Sequence, residues 1–330
     1  MRYLTYIFIF AFIISGCSSK QYFEPKHTDG NYTAPIEDID AIIIDHNSDG
    51  ATLENKQFIS KDGLENIVLR DGYRFINKVN GTIIAADHNM TLQTISDLNH
   101  TQEVKFDQDV ASASIKDNLL AVGFIDNSIM LYDIDKKEVL FKEYLKHSFV
   151  NDTKIANPVF LNSVVLYPTL DGKIVIVDIN RKKVIKNINI DPDSDVNNII
   201  FLDNVDESLI AASTYKLFSF IDGRINMKNF NIKQILVKDN YIYIATLEGE
   251  IIKLDLKLNV ISKQKFKFAN FHSLGVNNNN IYALESQSFM IKIDNDFKDT
   301  KIYNFDFDEE EKSVIIKDKL YFEDSAILLK

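Results

Sequence analysis

The chain has 330 residues, 45% of them hydrophobic, with 37 Lys+Arg against 48 Asp+Glu and a formal net charge of −11. That balance excludes a nucleic-acid partner, which needs a basic footprint, and argues against holding anionic lipid through a basic surface. A single cysteine excludes an internal disulfide, so stability must come from packing and β hydrogen bonding.

Residues 1–16 have the order of a secretory signal. Arg2 and the α-amino group form the positive end, and Tyr3 to Ile14 is almost unbroken apolar sequence. About twelve residues are too short for a bilayer core of ~30 Å, which takes ~20 as a helix. Ile14-Ser15-Gly16-Cys17 closes the run and holds the only cysteine. It resembles the lipobox of bacterial lipoproteins. That resemblance implies cleavage between Gly16 and Cys17 and a diacylglycerol thioether on Cys17. Two or more acyl chains, unlike one, hold a protein durably to a lipid bilayer. Ser18 and Ser19, in place of Asp, point to the outer membrane with the body facing the periplasm; the inner membrane and the cell surface are left open. Removing residues 1–16 takes away Arg2 and leaves the mature chain near −12. Residues 17–35 are polar, carry Pro25, Gly30 and Pro35, and show no hydrophobic period. They read as a lipidated flexible tether, roughly 20–25 Å long on average.

Residues 36–330 read as one all-β domain. Runs of four to seven Ile, Val, Leu, Tyr and Phe alternate with Asn/Asp/Gly turn clusters. An apolar strand begins at Ile83, Leu119, Val164, Leu209, Ile242, Ile281 and Leu320, in steps averaging just under ~40 residues. A tight turn follows, such as Leu170-Asp171-Gly172-Lys173, and then a second strand ending in Asp133, Asp178, Asp222, Asp255 or Asp294. A lysine-rich turn and a third strand come next, and a short strand precedes each unit. Four antiparallel strands per ~40 residues predict a β-propeller. Seven blades are favoured, with six or eight left open by residues 36–60. The chain ends after three strands, so a strand from the N-terminal side is expected to close the ring, with Glu65–Leu69 as the candidate.

The unit resembles the PQQ-like repeat, whose strand, Asp-Gly turn and Asp-ended strand are matched by VVLYPTLDGKIVIVDINRKKVIKNINI (164–190) and IYIATLEGEIIKLDLKLNVISKQKFKF (242–268). Lipobox and repeat together resemble the BamB-type outer-membrane assembly lipoproteins. The resemblance implies a non-catalytic scaffold that docks on the barrel-assembly machinery. Departures are plain: BamB-type chains usually have eight blades, greater length and Trp, whereas this chain has no Trp, and Phe141 stands at one Trp position.

Three functions are weighed. The first is a membrane-anchored periplasmic interaction propeller with envelope proteins as partners. The second is a propeller that binds a small ligand or peptide, or serves another envelope complex. The third, a quinoprotein dehydrogenase, lacks its vicinal cysteines and calcium-binding constellation. No enzyme activity, cofactor, metal or catalytic residue is expected. His27, His46, His88, His100, His147 and His272 have no metal-ligand spacing and read as turn or surface residues. Asp306, Asp308, Glu309, Glu310 and Glu311 read as a solvated acidic loop. The recurrent strand-end aspartates read as turn-formers whose carboxylates take backbone N–H groups two residues on. Only Cys17 carries an assigned role, which is attachment.

Overall fold

The structure, a computed structural model, describes residues 21–97, 100–148, 154–192, 197–277, 279–308 and 310–330. Every regular element among them is a β-strand, and the strands form eight four-stranded antiparallel sheets. The molecule is an eight-bladed β-propeller, one blade more than the favoured seven. The extra blade is the first: Ile43–His46, Ala51–Leu53, Phe58–Ser60 and Gly63–Glu65. Its strands IIDH, ATL, FIS and GLE are short and broken by polar residues, so they lack the apolar runs that mark the other blades.

The first strand of each blade lines a central channel. In blades 1 to 8 these inner strands are Ile43–His46, Tyr73–Val79, Val110–Lys116, Val159–Leu161, Phe201–Val205, Ile232–Lys238, Phe271–Asn277 and Ser313–Ile316. The second and third strands are near-continuous apolar runs, because a blade buries both faces against its neighbours. Leu119–Phe124 of blade 3 is buried at all but its first residue. Its Leu120, Val122 and Phe124 pack against Ile84, Ala86 and Leu92 of blade 2. Burial of each such large side chain contributes ~1.5–3 kcal/mol. The fourth strands, such as Lys183–Asn189, are largely exposed to solvent.

Closure also differs from expectation. The last blade takes its outer strand from Ile36–Asp38, with Ile36, Glu37 and Asp38 opposite Ile327, Ala326 and Ser325. Of the expected closing segment, Glu65 ends the outer strand of blade 1, and Leu69 plugs the core beyond it. Ile36–Asp38 is exposed along its length, so it shows no apolar signal; the backbone ladder and the Lys319–Glu37 ion pair place it.

The stretch expected as tether does not run free as far as residue 35. Phe23 is buried, its ring edge-on to Phe266 at 6.0 Å and to Phe289 at 5.6 Å. Asp29 and Tyr32 donate backbone N–H groups to Ile302 and Asn304, and Asn304 donates back to Gly30. Tyr32 stacks edge-on against Tyr303 at 5.5 Å. The segment is therefore a strap across blades 6, 7 and 8.

Two of the hairpins that leave the inner strands use left-handed residues other than glycine. Both central residues of Asp206-Glu207 (φ 45° and 61°) and Asp239-Asn240 (φ 51° and 62°) lie there, the type I′ geometry whose twist fits two-residue hairpins. The strand-end aspartates are turn-formers too, but they reach three to five residues ahead. Asp133 accepts from Lys136 N, Asp178 from Arg181 N, Asp255 from Asn259 N, and Asp294 from Lys298 N and Asp299 N.

The Lys136 N–H, then its ammonium, hold the Asp133 carboxyl down at about 2. A carboxylate whose folded pKa lies below its unfolded one stabilises the fold above about pH 4, and that stability is lost as pH falls toward 2. Asp133→Asn is therefore expected to flatten the fall in stability between pH 4 and 2, read as urea midpoints across that range. An unchanged fall would contradict the assignment.

Candidate functional site

The channel along the propeller axis has a volume of about 790 Å³. One side of it is held by a buried polar network. Asn157 donates to Asp49 at 2.5 Å and to the Ile76 carbonyl at 3.1 Å, and accepts from Ala113 N at 2.9 Å. Asn77 donates to the Ala113 carbonyl at 3.1 Å, and Asn47 to the Phe75 and Ile76 carbonyls. Blades 1 to 4 are thus stitched together by amides where a compact core would use aliphatic groups.

Among the charged residues of the lining, lysines prevail. Lys78, Lys116 and Lys238 stand at or next to the C-terminal ends of inner strands, and Lys317 directly follows one. Lys154 and Lys233 lie at the opposite ends, and Lys61 reaches in from blade 1. Some are neutralised. Lys61 pairs with Asp49, whose charge raises the ammonium above its ordinary value. Lys78 donates to Glu65 at 2.6 Å and lies 3.0 Å from Asp62, and the bond to Glu65 is the main reason its pKa is raised. Others meet only neutral oxygen: Lys116 the Asn162 carbonyl at 3.1 Å, Lys238 the Val276 carbonyl at 2.8 Å, Lys233 the Asn270 amide. Burial pulls the Lys233 ammonium below its ordinary value, opposed by Glu285.

The sequence-predicted residues fall apart in space. Gly16 and Cys17 lie outside the described residues. His27, His88, His100 and His147 are exposed, whereas His46 and His272 line the channel. Of the acidic loop, Asp306 and Asp308 are exposed and alternate with the buried Phe305 and Phe307; Glu309 lies outside the described residues. Among the described residues no group of three or more His, Cys, Asp or Glu could hold a metal ion. Among the described residues there is no helix long and apolar enough to cross a membrane. The lysine ring was missed, although a signal exists: the first strand of a unit repeatedly ends in Lys, as in Ile76-Asn77-Lys78, Ser114-Ile115-Lys116 and Leu236-Val237-Lys238.

The protein has the fold of a BamB-like β-propeller. BamB from Moraxella catarrhalis superposes with a TM-score of 0.67 at 13% identity, covering 90% of this chain and 99% of that one. The C-terminal WD40 domain of Sif2 gives 0.64 at 10% identity. No protein-family model matches the chain. In sequence it is similar to the plasminogen-binding protein PgbB of Helicobacter pylori, 28% identical in strain J99 and 27% in strain 26695, each over 88% of this chain. The chain spans 62% of the length of those curated relatives.

Proposed function

We propose that this is a lipid-anchored, non-catalytic propeller of the cell envelope whose task is to bind another protein. The observation that carries the reading is the similarity, along 88% of the chain, to proteins named for binding plasminogen. Plasminogen is accordingly the first partner to test. Purified full-length protein in detergent, immobilised and exposed to plasminogen, is expected to bind saturably. Absence of binding at micromolar plasminogen would remove that partner. A second reading, docking on the barrel-assembly machinery, is favoured only by the likeness in fold to BamB.

The strap sets how the propeller stands on its anchor. Phe23 is fixed between blades 6 and 7, and five residues lie between it and Cys17. Fully extended, that stretch of chain reaches at most about 20 Å. Around this point Tyr22, Leu247 and Phe268 are exposed, and the Lys267 ammonium lies 4.6 Å from the Phe268 ring centre. Aromatic and aliphatic groups beside a lysine suit the headgroup region of a bilayer. This rim is assigned to the membrane side, leaving the opposite blades to the partner. Because the chain has no Trp, Phe268→Trp creates a lone reporter. Its emission is expected to shift to the blue when the acylated protein enters vesicles. An unshifted spectrum would contradict this orientation.

A further inference from the structure

We propose that the central channel is a binding site for a small polyanion, a molecule carrying several phosphate or carboxylate groups. The chain as a whole has 48 acidic against 37 basic side chains. Among the described residues the channel lining reverses this, with seven lysines and two aspartates, Asp49 and Asp203. Outside the channel some lysines pair with carboxylates, as in Lys257–Asp222, Lys298–Asp296 and Lys142–Asp107, and others, such as Lys105 and Lys312, meet backbone carbonyls. What sets the channel apart is the number of lysines gathered there against two aspartates.

The ammonium groups of Lys116, Lys233 and Lys238 each touch only a neutral oxygen, and among the described residues none lies within ion-pair distance of a carboxylate. Lys116 and Lys238 stand at one mouth of the channel, Lys233 at the other. Like charges gathered in a walled cavity repel one another, and the walls focus their field on its interior. A bound polyanion relieves that repulsion. A neutral oxygen brings no opposing charge, so these ammonium groups keep their charge for an anion that enters the channel. A volume of about 790 Å³ is in the range of small-molecule sites and too small for a folded partner.

The test is calorimetric titration of the purified full-length protein, at low ionic strength, with inorganic tripolyphosphate and separately with citrate. One-site binding of at least one probe is expected, and the probe that binds better separates phosphate from carboxylate ligands. The double variant Lys116→Gln, Lys238→Gln is expected to weaken it at least tenfold, and Lys233→Gln alone several-fold, which guards against misfolding of the double variant. The control Lys257→Gln, Lys298→Gln changes two surface lysines and is expected to leave binding unchanged. Binding of neither probe, or an equal loss in the control, would overturn the proposal.

Discussion

Asn157→Ala is expected to destabilise the propeller by about 3 kcal/mol, more than an ordinary surface substitution by several-fold. The side chain is buried and makes three hydrogen bonds, one each to blades 1, 2 and 3. Alanine removes all three and leaves the buried Ala113 N–H without its side-chain acceptor, and each unsatisfied buried group costs ~1–3 kcal/mol. Asp49 keeps its pairing with Lys61, which limits the loss. For a domain of this size the effect corresponds to a melting temperature lower by roughly 5–10 °C. Asn157→Asp is expected to be at least as harmful, because a second carboxylate would face Asp49 across a hydrogen-bond distance. A melting temperature within 1–2 °C of wild type would show that the network does not bind the first four blades together.

Cys17→Ala is expected to move the protein from the membrane pellet to the soluble fraction. Cys17 is the only acylation point the sequence offers, and the mature surface is too acidic to hold to anionic lipid by charge. The apolar rim around Phe268 gives a weak contact, because a few interfacial side chains do not replace two or three acyl chains. The folded body, from the strap onward, is expected to be unaffected, with the same melting temperature as wild type. Variant protein that stays in the pellet at the mass of the unprocessed chain would mean that residues 1–16 are an uncleaved anchor.

The sequence made legible those parts of the fold that repeat. Blades 2 to 8 announce themselves because their second strands are buried on both faces and so are largely apolar runs. The aspartates at strand ends were legible as turn-formers because their position recurs, although the reach of their hydrogen bonds was not. The parts that stayed hidden are those held by something other than apolar periodicity. Ile36–Asp38 closes the ring through backbone bonds on an exposed edge. The strands of blade 1 are too short to show a period. Phe23 is one aromatic residue in a polar run, and its pocket comes from Phe266 and Phe289, more than two hundred residues away. The channel lysines were visible one at a time. Their assembly into one site depends on all inner strands running in the same direction around an axis, which is a property of the ring and of no single repeat.

The central claim, an anchored propeller that works by holding another protein, is tested most directly by crosslinking the acylated protein in its own envelope. The crosslinked species is then purified and the joined residues are mapped. The account predicts one recurrent protein partner, with crosslinks on the blades opposite the strap and its Phe23 pocket. Repeated recovery of the propeller with no crosslinked protein, or with crosslinks scattered evenly over all eight blades, would contradict it.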